Sequence, residues 1–136
     1  MTLLQHTRLS LLVLATAALA AGCAAPPPPA PPPTGLSEVM ERPAERALLE
    51  GIRAYDDGQY AQAEKALRMA LADGLQSARD RATAHKLLAF ITCTSDRLAD
   101  CQSEFREARA ADANFALSRS EAGHPVWGPV YKSLSQ

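Results

Sequence analysis

The sequence has few aromatic residues and almost no net charge. Aromatic side chains make up 5% of the 136 residues, and 14 Lys and Arg nearly balance 15 Asp and Glu, giving a formal net charge of −1. This balance provides no general basic surface for nucleic acid. A β-sandwich would need more Val, Ile, Thr, Tyr and Phe, so a hydrophobic fraction of 47% with much alanine indicates helices packed through small residues.

The sequence also lacks an apolar run long enough to span a membrane. Its longest run, Leu9 to Gly22, has 14 residues, whereas a bilayer core of about 30 Å needs roughly 20. The run follows Arg8 and fits the apolar region of a signal peptide, which we assign to residues 1–22.

The end of this run is the motif Ala20-Ala21-Gly22-Cys23. It resembles the lipobox of bacterial lipoproteins, which implies a covalent lipid on Cys23 and a membrane-anchored mature chain. Ala24 rather than Asp follows, and the same resemblance then implies the outer membrane, on its periplasmic side. The alternative is an ordinary secretory signal in which Cys23 has no role.

A proline-rich segment follows the candidate lipidation site. Seven of the ten prolines lie between positions 26 and 33. Proline fixes φ and lacks an N–H donor, so the run favours polyproline II and would hold the next domain roughly 25 Å from the membrane. We interpret residues 23–36 as the lipidated Cys and a spacer; a ligand for SH3-like grooves is the alternative.

Residues 37–136 form the predicted domain, which is all-α. Apolar residues recur at helical spacing on both sides of two short turns, as in Leu48, Ile52 and Tyr55. The pattern predicts helices near 43–57, 60–72, 77–94 and 97–111. Because each turn is only a few residues long, the helices form two antiparallel hairpins.

The two hairpins superpose at an offset of 38 residues, which aligns Gly51, Ala63, Leu67 and Ala70 with Ala89, Cys101, Phe105 and Ala108. The first hairpin resembles the tetratricopeptide repeat (TPR) family. Its small residue in the first helix is Gly51, and Gly58 and Tyr60 supply the family's turn. The second hairpin has Asp96 where the family has Gly.

The C-terminal tail is predicted to cap the second hairpin. A short helix is expected over 114–121, and the Pro and Gly residues of 123–131 predict a non-helical segment. Because a disordered tail would not normally carry the chain's only Trp, we expect Phe115, Trp127 and Tyr131 to pack against the last hairpin.

Two cysteines lie near the second turn, Cys93 at the end of one helix and Cys101 at the start of the next. In an oxidising periplasm they are expected to form a disulfide, with two buried thiols as the alternative. A metal site is not expected, because His85 would lie about 12 Å from Cys93 along the helix.

No residues suggest an enzyme. His124 is expected to be a packing or turn residue, and Asp56-Asp57 a turn. No nucleophile motif or pair of catalytic carboxylates is present, so we expect no small-molecule substrate and no cofactor beyond the lipid on Cys23.

Four short sequence motifs give a closer resemblance to a known family. The last two, which are the most specific, are Cys101-x-x-x-Phe-Arg-x-Ala and Gly123-His-Pro-x-Trp-Gly-Pro-Val-Tyr131. They are similar to the TssQ family of lipoproteins associated with type VI secretion. This implies a protein-interaction scaffold, with secretion components or other envelope proteins as partners. The alternatives are an assembly factor, such as a pilotin or outer-membrane biogenesis partner, or a regulator of cell-wall enzymes. Tyr55, Tyr60 and Trp127 are the candidate contact residues, although each could instead fill or cap the core.

Overall fold

The computed structural model describes Gly35 and residues 41–134, which belong to one compact unit comprising residues 34–136. The predicted signal peptide, Cys23 and the proline-rich run lie outside the described residues. The described part is all-helical. Its helices are α1 (Pro43–Asp56), α2 (Tyr60–Ala72), α3 (Ala78–Thr94), α4 (Leu98–Ala111), α5 (Arg119–Ala122) and α6 (Trp127–Ser133).

The first four helices pair as two hairpins, α1 with α2 and α3 with α4, as the periodicity predicted. Pro43 begins α1, where its missing N–H costs nothing. The Ser77 side chain caps α3 by accepting a hydrogen bond from the Asp80 N–H at 3.2 Å. Helix ends therefore follow local sequence signals.

Both hairpin turns have the same backbone geometry. Gly58 has φ of +73° and Asp96, 38 residues later, has φ of +58°. The next residue in each turn donates its N–H to a carbonyl five positions earlier: Gln59 to Ala54 at 2.8 Å and Arg97 to Thr92 at 2.9 Å. The 38-residue repeat therefore extends to the turns, with an aspartate in the left-handed conformation that favours glycine.

The core contains the residues that the repeat alignment matched. Leu67 and Phe105 are fully buried, and so are their small neighbours Ala63 and Cys101. In the first hairpin the helices approach closely, because a Cβ at Gly51 would lie 2.7 Å from Cγ of Leu67. Only glycine permits this approach while Leu67 keeps its position.

A polar network joins the two hairpins. Arg97 of α4's N-terminus donates two hydrogen bonds to Glu64 of α2, at 3.0 and 2.6 Å. Arg68 bridges Glu64 and the buried Glu104 of α4, and Nδ1 of His85 lies 2.7 Å from Glu104. Polar side chains from α2, α3 and α4 thus link one hairpin to the other.

The tail differs from the prediction in two places. The expected helix over 114–121 is wrong, because only Arg119–Ala122 is helical there. The Asp112 carboxylate accepts the Asn114 N–H at 2.9 Å, which stabilises a turn, and Ser118 begins α5 through a capping box with Glu121.

The expectation that 123–131 is non-helical is also wrong, since α6 begins at Trp127. Pro129 lies in the first turn of α6, where an N–H has no helical partner. Gly128 allows α6 to lie against α5, because a Cβ there would be 2.6 Å from the Ala122 carbonyl oxygen. The capping role itself is confirmed: Phe105 contacts Tyr131, and Tyr131 contacts Phe115.

Candidate protein-binding surface

Every aromatic residue of the chain belongs to one connected set of ring contacts. From Phe90 in α3, one branch runs through Phe105 and Tyr131 to Phe115 in the interior. The other contacts run from Tyr60 through Tyr55 to Phe90, and from Phe90 through Trp127 to His124. The few aromatics therefore form a chain of contacts that runs from the first hairpin through α3 and α4 to the tail.

Tyr60 is the most exposed of the three predicted contact residues. It begins α2 and half of its surface, 50%, is open to solvent. Its ring meets Tyr55 edge to face, with centroids 5.6 Å apart. An exposed tyrosine supported by a second ring is a rigid, amphipathic contact of the kind found in protein interfaces.

Tyr55 lies in the last turn of α1, next to its final residue, and is partly buried against the core. Burial raises the pKa of its phenol, and the nearby Tyr60, Asp56 and Glu121 side chains raise the pKa further. The phenol therefore stays neutral, and its ring supports Tyr60.

Trp127 is a packing residue. Its ring stacks on Phe90 at a centroid distance of 4.2 Å and on His124 at 3.3 Å. Two rings stacked this closely must occupy opposite faces of the indole, and Nε1 donates to the Glu121 carbonyl at 2.9 Å. Both faces and the one polar atom are thus used within the chain, so we remove Trp127 from the candidate contact residues.

His124 was expected to pack or form a turn, and the structure confirms this. Its ring covers Trp127, and Nδ1 accepts the Val126 N–H at 3.2 Å. Val126 beside it is 45% exposed. The sequence analysis did not identify Val126, since a valine next to a proline carries no distinguishing pattern.

An ion pair fixes the tail on α3. Nζ of Lys86 lies 2.6 Å from the Glu121 carboxylate. Burial opposes ionisation of Glu121, but hydrogen bonds from Lys86 and Ser118 outweigh it and lower the pKa of this carboxyl. No local sequence pattern indicates this pair, because the two residues are 35 positions apart in the chain.

The fold brings together the two cysteines that were predicted to pair. Cys93 and Cys101 are joined as a disulfide, with Cα atoms 5.0 Å apart, inside the usual range. Cys101 is fully buried and Cys93 is 6% exposed. Their position across the α3–α4 turn indicates a structural crosslink and not a reactive site.

The described residues show no cluster of three or more His, Cys, Asp or Glu side chains that could hold a metal ion. Within the same residues, no helix has both the length and the apolar character needed to cross a membrane. The exposed Tyr60 and the partly buried Tyr55 that supports it form an aromatic surface, which we call the tyrosine surface.

Comparison of the chain with protein-family models, with characterised proteins and with solved structures finds no match. Functional inference therefore rests on the sequence motifs and on the geometry described above.

Proposed function

We propose that the protein is a lipoprotein anchored through Cys23 to the periplasmic side of the outer membrane, where its TPR-like domain binds other envelope proteins. The proposed partners are components of a type VI secretion system. In this role the protein holds other proteins in place and converts no substrate.

The observation that carries the proposal is the half-exposed Tyr60, which is supported by the partly buried Tyr55. A large side chain held rigidly at the surface loses little conformational entropy on binding. The lipobox resemblance supports the anchor, and the resemblance to the TssQ family supports the secretion partner.

The partner is tested by photocrosslinking in cells with active type VI secretion. A crosslinking amino acid is placed at position 60 of the full chain and, as a control, at the exposed Glu107 of α4. Position 60 is expected to capture a secretion component that position 107 does not. If secretion is active and neither position captures such a component, the proposed partner is wrong.

The anchor is tested separately by labelling with radioactive palmitate. The unaltered chain is expected to incorporate label and Cys23→Ala is expected to incorporate none. If the wild-type protein incorporates no label, the lipoprotein assignment is wrong, whatever the crosslinking result.

A further inference from the structure

The tyrosine surface has an exposed carboxylate beside its aromatic rings. Asp56 follows Tyr55 directly and is exposed, and its carboxylate has no ion-pair partner among the residues that the structure describes. α1 also ends at Asp56, so the negative end of its helix dipole points to the same place.

The nearby basic residues form no ion pair with Asp56 among the residues that the structure describes. Arg53 lies three positions before Asp56 and is its neighbour on the helix surface, but the two side chains are not paired. Lys86 is bound to Glu121 at 2.6 Å. Burial is the main cause of the raised pKa of Tyr55, and the Asp56 carboxylate is among the groups that raise this pKa further, in keeping with its place beside the tyrosine rings.

Aromatic rings and a carboxylate together form a site for a cation. The face of a tyrosine ring attracts an ammonium or guanidinium group through its quadrupole. A carboxylate within reach of the same group adds a charge-assisted hydrogen bond. An acidic partner segment would meet repulsion from Asp56 and from the α1 terminus.

We propose that the tyrosine surface, with Asp56, binds a basic segment of a partner protein. An arginine or lysine side chain of the partner stacks on Tyr60 and pairs with Asp56. This inference rests on the proposed function and specifies the chemistry of the partner's docking segment.

The test measures binding of two labelled peptides to the full-length protein in nonionic detergent micelles by fluorescence anisotropy. One nine-residue peptide alternates Arg with Ser, and the other alternates Glu with Ser. We expect the Arg peptide to bind measurably at low ionic strength and the Glu peptide to bind at least tenfold more weakly.

Variants locate the binding. Tyr60→Ala and Asp56→Asn are each expected to weaken binding of the Arg peptide about two- to fivefold, as exposed cation–π contacts and ion pairs do. Tyr60→Phe keeps the ring and is expected to bind like the unaltered protein. Asp57→Asn makes the same charge change one residue away and is the matched control; circular dichroism verifies that each variant folds.

Three results would overturn the inference: equal binding of both peptides, unchanged binding by Tyr60→Ala and Asp56→Asn, or equal losses in Asp56→Asn and Asp57→Asn. Capture of a secretion component from position 60 through an acidic or neutral segment would overturn it while leaving the proposed function intact. If the variants locate binding of the Arg peptide to this surface but no secretion component is crosslinked, the proposed partner is wrong. Recognition of a basic segment then still holds.

Discussion

Single residues determine how sharply each hairpin turns. Gly58 and Asp96 both adopt positive φ in equivalent turns. A residue with a Cβ is disfavoured in this conformation by roughly 1 kcal/mol, although aspartate tolerates it better than most. The second hairpin therefore contains local strain that the first avoids.

Asp96→Gly is expected to increase the free energy of unfolding by about 0.5–1 kcal/mol, because glycine removes this conformational cost. Gly58→Ala is the reciprocal change and is expected to decrease it by about 1 kcal/mol, even though no atom lies within 4 Å of the added Cβ. Urea unfolding of both variants provides the measurement. A lower midpoint for Asp96→Gly would contradict the interpretation.

At the scale of helices, the hairpins are held together by charges as well as by the core. Arg97 binds Glu64 through two hydrogen bonds from one hairpin to the other. These hydrogen bonds, assisted by Arg68 and opposed by burial, lower the pKa of Glu64 below its ordinary value of 4.5. The attachment of one hairpin to the other therefore depends on pH.

Because Glu64 has a lower pKa in the folded state than in the unfolded chain, its stabilisation is fully present above about pH 4.5 and is lost as the pH falls through the folded value. Glu64→Gln is expected to be about 1 kcal/mol less stable at pH 7 and to lose less stability than the unaltered protein between pH 7 and pH 3. Urea unfolding at several pH values measures both. The control is Glu107→Gln, which makes the same charge change at an exposed position and should keep the pH dependence of the unaltered protein. If the pH dependence of stability weakens equally in both variants, the role assigned to Glu64 is wrong.

The disulfide acts within the second hairpin. Reduction, or the double change Cys93→Ser and Cys101→Ser, is expected to lower the free energy of unfolding by about 2.5 kcal/mol, from the loop-closure entropy of so short a segment. Urea unfolding with and without reductant measures this difference. Alkylation mass spectrometry of unreduced protein is the control, and labelling of both residues would show that the pair is not oxidised.

The sequence was sufficient to predict α1 to α4, because apolar spacing, Pro43 and the Gly58 turn all indicate the same structure. It was insufficient for the tail, where local and tertiary effects compete. Pro129 and Gly128 suggested a break, yet proline is tolerated in a first turn and Gly128 is required by the contact with Ala122.

At the scale of the whole described unit, the hairpin stack has two different ends. In α3, the inner positions Ala84, Leu88 and Ile91 are buried. The equivalent positions in α1, 38 residues earlier, are the exposed Arg46, Glu50 and Arg53. A polar outer face of this kind is typical of the terminal repeat in a solenoid, and the tail provides the other cap.

We expect self-association when the three α1 residues are replaced by their α3 counterparts, as Arg46→Ala, Glu50→Leu and Arg53→Ile. The variant should sediment as a larger species than the unaltered chain, because it exposes apolar surface shaped to receive a hairpin. The triple change to glutamine removes the same charges without adding apolar surface and should sediment normally. Unaltered sedimentation of the apolar variant would argue against this interpretation of the α1 face.

Tyr55 and Tyr60 remain candidate contact residues. The sequence could not indicate that both faces of Trp127 are covered, because Phe90 and His124 reach them only through the tertiary arrangement. The same applies to Lys86 and Glu121, whose pairing depends on where the tail lies.

The stacking of Trp127 between Phe90 and His124 has a practical consequence. The chain contains one tryptophan, so its tryptophan emission originates at a single point, where the tail meets α3. Any event that lifts the tail would hydrate that ring and shift the emission to longer wavelength. The protein thus carries its own optical probe, and tail displacement by a partner can be followed in real time without attaching a dye.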